Sequence, residues 1–569
     1  MAKPGWDRLA YRLVLGGFLV LALSSILAGQ TSWDEETDYL GIREQIAHGV
    51  RLLRGEPTDY RGIHSNLEYY GIAGLLPAWL LWFLQRSLIT GRFSLDRALF
   101  NPAVEHQLTG FFAISHAVLM VEMVLLSLVM VAIAKRMPLR QPWLVGALIL
   151  ITPTLLGHSF TNTKDVPFAL FYSLFTLGLI LRSQGPVGLR WGVPPGRGTW
   201  LALLGATLMV NQKIVALLPV VISEGMLLIR GRLREPERQG EGRTSAARSL
   251  GRLLLLAFSA LALPMVALAG GLLLQPASWG QSPLGFLSEA FATFAVHSWG
   301  GCMWFGGSCV GVADPAWSAG HYMLRWLPAK LPLLLLILPL VQVIAWVRQA
   351  LGPHREQGTA ADGAILLGLQ LVLIPTLAAL RNSNLYDADR HLLFMVPPLA
   401  VFAVMGFERL QTLPTARPPW RGPRVWALGL VTLLVVGQVL DDLLLHPYQL
   451  AYFNEIARHR LNHTNTAVEY WSVSAKEAVQ QAQLRGRLPL NPTVVDSPLP
   501  TPFFIGFRQL GGRMAASADT RLVFQVRSPP DFQQSPPSTW TCTKPAEVSR
   551  RQLLAPRLVM SRLFVCRAT

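Results

Sequence analysis

The amino-acid sequence predicts an all-α polytopic membrane protein that ends in a small α/β domain. Of its 569 residues, 51% are hydrophobic and only 15% are charged, which is too little charge for a soluble protein of this length. Apolar runs long enough to cross a bilayer recur along the chain, separated by short polar segments. The basic residues behind the net charge of +17 cluster in those short links, as the positive-inside rule expects. We therefore expect a membrane, and not a nucleic acid, as the partner of this basic chain.

The apolar runs predict about eleven transmembrane helices within a membrane domain of residues 1–441. Lys3, Arg8 and Arg12 precede the first run, so we expect the N-terminus on the cytoplasmic side. Residues 30–106 then form a first external loop, in which YYGIAGLLPAWLLWFLQ predicts a helix lying in the membrane interface. The predicted spans are 13–29, 107–134, two that form a hairpin with the tip HSFTNTKD, two short ones that meet at Asn211-Gln212-Lys213, and then 253–274, 326–347, 363–380, 391–407 and 424–441.

The four cysteines support this topology. Cys302 and Cys309 fall in an external loop without Lys or Arg, and Cys542 and Cys566 fall in residues 442–569, which we predict to be an extracytoplasmic C-terminal domain. All four therefore lie on the side of the membrane where disulfides persist, and we predict the pairs 302–309 and 542–566. A metal site is the weaker interpretation, because the chain has no Cys-x-x-Cys spacing.

The densest acidic stretch, TSWDEETDYL at residues 31–40, follows directly on the first span. One interpretation is a solvated helix start, where the helix dipole favours acids. The other is a catalytic edge, in which a carboxylate takes a proton from an acceptor while cations or a divalent metal hold an anionic phosphate. We favour the second interpretation for Asp34 and Glu35, and leave the capping role to Glu36 and Asp38.

Further charged residues lie at the external ends of the predicted spans, where they are costly unless a site needs them. We expect Asp165 to act beside the base, and Glu68 and Asp165 to orient it or to hold a divalent metal ion. The side chains predicted to contact a lipid phosphate are Lys164, Lys213, Lys330, Arg390 and His391. For Lys330, snorkelling to the interface is an equal alternative. No G-x-x-x-x-G-K-[ST] loop is present, so we expect no nucleotide cofactor.

The order of these motifs resembles the family 39 glycosyltransferases of the GT-C fold, which include protein O-mannosyltransferases and lipid A aminoarabinose transferases. The resemblance rests on WDEETDY (33–39), the interfacial piece after it, NTKDVPFALF (162–171), Lys213, HYMLRWLPAKLPLLLL (321–336), DADRHLLFMVPPLAV (387–401), HPYQLAYFNEIA (446–457) and EYWSVSAKEA (469–478). The chain departs from the family pattern at two places. Tyr69-Tyr70 replaces the usual Pro-Pro, and the residues after the Asp-Glu pair, Glu36-Thr37, differ from the usual tripeptide. The last 90 residues match no pattern of that family.

The resemblance implies the roles of individual residues. Asp34 matches the catalytic base toward the acceptor, with Glu35 beside it, and Asp165 matches a second acid that can help bind a divalent metal. Lys213, Lys330 and Arg390 match positions that contact the lipid phosphate. The implied donor is a polyprenyl-phosphate sugar, the acceptor is a lipid, a glycan or a protein, and the new glycosidic bond is inverted.

Two other classes of protein remain open at this point. A transporter or flippase for a lipid-linked anion would also place charges at membrane depth, although it would be expected to show repeats and mid-span charges. A non-catalytic relative that serves as an assembly scaffold would keep the fold without the chemistry. The short Arg-rich loops favour the inner membrane of a bacterium as the location of the chain.

Overall fold

The computed structural model of the chain is mostly helical. It describes residues 5–58, 67–100, 105–184, 196–234, 246–296, 302–311, 318–351, 359–414, 422–488, 494–496, 500–510, 520–526, 530 and 540–568. Its helices are α1 (Trp6–Ala28), α2 (Trp33–Leu53), α3 (Leu76–Thr90), α4 (Leu95–Phe100), α5 (Glu105–Arg136), α6 (Trp143–Ile151), α7 (Pro153–His158), α8 (Asp165–Ser183), α9 (Arg197–Gln212), α10 (Leu217–Arg234), α11 (Ala246–Leu273), α12 (Pro283–Val296), α13 (Ala319–Lys330), α14 (Leu333–Leu351), α15 (Thr359–Arg381), α16 (Val396–Gln411), α17 (Pro423–Leu445), α18 (Ala475–Leu484) and α19 (Pro500–Gln509).

Seven helical segments in the described ranges are long and apolar enough to cross a membrane, and a bent pair makes an eighth if it counts as one span. These segments lie in α1, α5, α8, α10, α15, the stretch that ends in α16, and α17. The chain therefore has the architecture of a polytopic helical membrane protein. The other predicted spans correspond to α6 with α7, α9, α11 and the bent pair, which are short, broken, or apolar over part of their length. The count of eleven thus stays a prediction.

The predicted span at 326–347 is broken, because the chain bends by 108° between α13 and α14. Leu331 at the bend is extended, with φ −74° and ψ 131°, and Pro332 follows it. A proline disfavours the helical conformation of the residue before it, so helix α13 ends at Lys330. Pro153 makes a similar break between α6 and α7, where Thr152 is extended.

The predicted interfacial piece forms the 15-residue helix α3, which is not among the candidate spans of the described chain. One face of α3 is buried through Ala78, Trp79 and Trp82, while Leu88 and Ile89 are more than 70% exposed. An exposed apolar face on a short helix favours a location at a lipid surface.

The segment after α17 carries a four-stranded sheet made of β3 (Val494–Asp496), β4 (Thr520–Val526), β5 (Trp540–Arg551) and β6 (Arg557–Ala568), whereas β1 (Met303–Phe305) and β2 (Ser308–Val310) form a separate hairpin. The strand order is β3-β4-β6-β5, with β3 and β4 parallel and the other pairs antiparallel. Helix α18 packs on β5 and β6. Both predicted disulfides, 302–309 in the hairpin and 542–566 between β5 and β6, are confirmed.

Helices α8 and α9 pack closely in the interior of the bundle, and α8 is buried on almost all sides. The close approach requires a glycine at position 178, because a Cβ there would lie 2.2 Å from the backbone nitrogen of Ala202. A side chain at this position would meet the backbone and the Cβ of Ala202, none of which can rotate away, so the two helices would have to separate.

We expect Gly178→Ala to lower the stability of the purified protein by about 1–3 kcal/mol, because the added methyl group overpacks the contact between α8 and α9. The matched control is Gly368→Ala in α15, where no atom lies within 4 Å of the added Cβ. Thermal unfolding in detergent should show a lower Tm for the first variant and no loss for the second. Equal Tm values for the two variants would contradict the packing described here.

Candidate active site

Six charged side chains from distant parts of the sequence meet where α2 and α8 begin, where α9 ends, and just before α16. This ion cluster consists of Asp34, Asp38, Lys164, Asp165, Lys213 and Arg390. Five of the six were predicted site residues, and the structure brings these five together. The sixth, Asp38, was expected only to cap a helix.

Asp34 is the most accessible carboxylate of the cluster. Arg390 donates from Nη1 to Asp34 Oδ2 over 2.6 Å, and Lys164 Nζ lies 3.7 Å from the same oxygen. The Asp34 side chain is 19% exposed, whereas the Asp38 and Asp165 side chains are at most 5% exposed. Asp34 is therefore the carboxylate best placed to meet a group arriving from outside the protein.

Asp38 lies one helical turn after Asp34, so both carboxylates point from the same face of α2. Lys164 Nζ lies 2.5 Å from Asp38 Oδ1, and the Thr163 hydroxyl donates to Asp38 Oδ2. Lys164 is therefore held between two acids that belong to one helix.

Asp165 is positioned by the start of α8. The Asn162 side-chain oxygen accepts hydrogen bonds from the backbone N–H groups of Lys164 and Asp165, and its amide donates to Asp165 Oδ2 over 2.9 Å. Lys213, which follows α9, donates to Asp165 Oδ1. Tyr70 pairs with Lys213 through a backbone bridge, so the first external loop lies directly against this ion pair.

The pKa values of Asp34 and Asp38, the two acids of α2 in the cluster, shift in opposite directions. Burial raises the pKa of Asp34, but Lys164 and Arg390 lower it by more, and the net result is a pKa below the usual value for aspartate. Burial raises the pKa of Asp38 to about 6, although Lys164 opposes the shift. The Lys164 ammonium is held charged because the nearby carboxylates of Asp38 and Asp34 raise its pKa despite burial. Asp34 is thus ionised at neutral pH.

Arg390 is fixed by residues that the sequence prediction did not include. Asp387 Oδ2 lies 3.5 Å from Arg390 Nη1 and accepts a hydrogen bond of 3.0 Å from the indole N–H of Trp471. The Arg390 guanidinium also lies over the rings of Tyr386 and Trp471, at 4.7 and 5.1 Å from their centroids. Asp387 and Ala388 have φ of 56° and 58°, a left-handed conformation that costs energy for residues other than glycine.

A cavity of about 770 Å³ adjoins the cluster. Its wall is mostly apolar and includes Phe168, Phe291 and Phe394, while Lys213 and His391 supply polar groups. His391 Nε2 lies 3.5 Å from Arg390 Nε, so the cavity and the ion cluster meet at this point. The predicted grouping of Lys213, Arg390 and His391 is therefore present as a spatial arrangement.

Glu35 does not lie in the cluster with Asp34. It occupies the third position of a capping box, in which Glu35 Oε2 accepts a 2.6 Å hydrogen bond from the backbone N–H of Ser32. Its other oxygen lies 2.5 Å from Nε2 of the buried His116 in α5. The structure therefore exchanges the expected roles: Glu35 caps α2, and Asp38 joins the cluster.

Lys330 and Glu68 also lie elsewhere. Lys330 is fully buried and donates a 2.7 Å hydrogen bond to the Leu450 carbonyl, with its ammonium 4.6 Å from the Phe453 ring centroid. The Tyr69 hydroxyl donates to Glu289 Oε2 over 3.0 Å, and the Glu68 side chain lies near the same hydroxyl. In these positions Lys330 supports the junction with the C-terminal segment, and Glu68 lies beside another acid.

The divalent metal ion expected at Glu68 and Asp165 stays a prediction. Both Asp165 oxygens already accept hydrogen bonds, and three cations balance the three carboxylates of the cluster. Within the described ranges, no three His, Cys, Asp or Glu side chains converge as metal ligands.

Comparison with known proteins gives no family for this chain. No family model matches it, and no curated protein matches it.

The raised pKa of Asp38 predicts a pH-dependent contribution to stability. The folded protein holds the Asp38 proton up to about pH 6, whereas the unfolded chain releases it near pH 3.8, so this group lowers stability as pH rises through that window. Asp38→Asn removes the titration. We expect the stability of the wild type relative to this variant to fall by on the order of 1–3 kcal/mol between pH 4 and pH 7.

Thermal unfolding of the two proteins at several pH values measures this difference. A constant offset from pH 4 to pH 7 is what loss of the contact with Lys164 alone would produce, and it would show that Asp38 titrates normally.

Proposed function

We propose that this chain is a membrane glycosyltransferase that moves a sugar from a polyprenyl-phosphate donor to an acceptor on the extracytoplasmic face. The observation that carries the proposal is the apolar cavity of about 770 Å³ with Lys213 and His391 in its wall, adjoining the ion cluster that contains Asp34. A polyprenyl phosphate has a long apolar tail and an anionic headgroup, and this cavity offers surfaces for both.

The cavity wall supports binding of the lipid part of the donor. Aromatic and aliphatic side chains from α8, α10, α12 and α15 form most of its surface, among them Phe168, Leu218, Phe291 and Ile374. An isoprenoid chain leaves water when it enters such a space, and the hydrophobic effect stabilises it there.

The cations of the cluster support binding of the phosphate. Lys213 contributes to the cavity wall itself, and Arg390 adjoins it through His391. A guanidinium and an ammonium at fixed positions stabilise the negative charge that builds on a leaving phosphate. Without a donor both cations pair with carboxylates of the cluster. When the donor binds, its phosphate would replace part of these contacts.

Asp34 is our candidate for the base. In the proposed step, the acceptor hydroxyl or amine attacks the anomeric carbon and Asp34 takes the proton that it loses. The bond from that carbon to the phosphate oxygen breaks, and its electron pair leaves with the polyprenyl phosphate. Attack from the face opposite the leaving group inverts the anomeric centre. Ionised Asp34, the most exposed acid of the cluster, suits this role.

The proposal includes the finer features that the sequence predicts, from its motifs and from its distribution of apolar runs and basic residues. These are a GT-C fold with about eleven spans, a cytoplasmic N-terminus, an extracytoplasmic C-terminal domain and the inner membrane of a bacterium. The arrangement of charges favours this function over a transporter, because the ion cluster lies at helix ends and not in the middle of the spans.

The test is donor turnover by the purified protein, incubated with radiolabelled polyprenyl-phosphate sugars and a membrane extract that supplies acceptors. We expect Asp34→Asn to lower turnover by about 10²–10⁴-fold, because the amide keeps the shape of the side chain but cannot take the proton. The control is Asp96→Asn, which removes a carboxylate from an exposed ion pair with Arg54 in the same external loop.

Full activity of Asp34→Asn would overturn the assignment of the base while leaving the enzyme class intact. Absence of turnover by the wild type with every common sugar would overturn the enzyme class. Donor that is bound or moved across a vesicle membrane without transfer would favour the transporter, and neither transfer nor transport would favour a scaffold.

A further inference from the structure

A second pocket lies at the far end of α1, about 30 Å along the helix from the ion cluster. Its volume is about 460 Å³, and it is lined by Arg8, Tyr11, Arg12, Leu15, Val124, Leu128 and Trp143. The lining residues come from α1, α5 and the first residue of α6. The pocket has no part in the proposed transfer reaction.

The polar end of this pocket is cationic. Arg8 and Arg12 are one helical turn apart and therefore lie on one face of α1. The Arg8 guanidinium and the Lys135 ammonium both lie over the Trp143 ring, at 5.4 and 4.3 Å from its centroid. No carboxylate in the described ranges forms an ion pair with Arg8 or Arg12. The nearby acid, Asp7, is buried and accepts from the backbone N–H of Trp143.

The other end of the pocket is apolar and faces outward. Leu15, Val124 and Leu128 continue the wall along α1 and α5 toward the middle of the bundle. Leu128 is 41% exposed, and its neighbours Leu125 and Val121 are 46% and 51% exposed. The hydroxyl of Tyr11 already pairs with Ser127 over 2.8 Å, so it needs no partner from a ligand. This surface suits an acyl chain.

We propose that this pocket binds one anionic phospholipid, with its phosphate between Arg8 and Arg12 and an acyl chain against Leu15, Val124 and Leu128. The ligand must be negative because its headgroup meets two arginines that form no ion pair with a carboxylate of the described ranges, and it must be a lipid because the pocket continues as an apolar groove on a membrane span. Trp143 lies at the boundary between the two ends, where tryptophan is favoured at membrane surfaces.

The experiment uses the full chain in nanodiscs of phosphatidylcholine that contain a minor fraction of phosphatidylglycerol. Native mass spectrometry counts the lipids that stay bound after the disc is removed. We expect the wild type to retain phosphatidylglycerol in excess of its share in the disc. The double variant Arg8→Gln, Arg12→Gln should weaken this retention roughly tenfold or more, because each arginine near a membrane surface adds to the attraction.

The matched control is the double variant Arg348→Gln, Arg424→Gln. It removes the same charge from α14 and α17, from residues that do not line the pocket, and leaves the pocket intact. Equal losses in the two double variants would mean that net charge alone attracts the lipid, and this result would overturn the proposal. So would a wild type that shows no enrichment of phosphatidylglycerol, a measurement that needs no variant to fold.

A further arm separates a lipid from free phosphate. Inorganic phosphate at millimolar concentration is added to protein in discs of phosphatidylcholine and phosphatidylglycerol. If it displaces the bound phosphatidylglycerol, the pocket recognises the phosphate group alone and the lipid assignment is overturned. Retention of the lipid under these conditions supports it. None of these measurements depends on transferase activity, so they stand apart from the test of Asp34.

Discussion

The ion pair between Asp34 and the buried Arg390 is the interaction on which the rest of the candidate site depends. The Arg390 side chain is only 5% exposed, and its partner is 356 residues away in the sequence. An unpaired guanidinium at this depth would cost several kcal/mol, so the start of α2 and the segment before α16 are held together by charge as well as by apolar packing. Lys164 and Lys213 obey the same constraint. Each of the three cations meets a carboxylate from another part of the chain.

Pairing at helix ends explains why the helices around the site are short and broken. Inside an uninterrupted helix the backbone N–H and C=O groups bond to one another. At a helix end some of these groups have no partner within the helix and can bond to other residues. The side chains of Asn211 and Gln212 accept hydrogen bonds of 2.9 and 3.0 Å from the backbone N–H groups of Ala73 and Gly74. These bonds fasten the first external loop to the end of α9. Gly71 permits the contact, because a Cβ there would lie 1.9 Å from the Asn211 carbonyl oxygen.

The sequence predicted much of this site because charge next to an apolar run is a strong signal. It located Asp34, Lys164, Asp165, Lys213 and Arg390, and it paired the cysteines correctly. It failed where the direction of a side chain decides the contact. Neighbouring residues on a helix point about 100° apart, so Glu35 turns away from Asp34 while Asp38 shares its face. The spacing of four between Asp34 and Asp38 carried that information. The burial of Lys330 did not show in the local sequence, because it depends on contacts with Leu450 and Phe453 in the C-terminal segment.

The C-terminal segment belongs to the site as well as to its own sheet. The backbone carbonyl of Trp471 accepts a 2.9 Å hydrogen bond from Trp33, the residue just before Asp34, and its indole N–H holds Asp387 beside Arg390. The Glu469 side chain accepts hydrogen bonds from the backbone N–H groups of Trp471 and Val473. These bonds fix the loop that carries the indole.

A boundary at residue 441 therefore separates the spans from the sheet but does not separate the site from the C-terminal segment. The loop around Trp471 constrains both partners of the Asp34–Arg390 pair, one through the backbone before Asp34 and the other through Asp387. Movement of this loop would change the positions of Asp34, the proposed base, and Arg390, the proposed phosphate-binding cation, together. The proposed chemistry requires that coupling, since the proton acceptor and the leaving group act on the same sugar in one step.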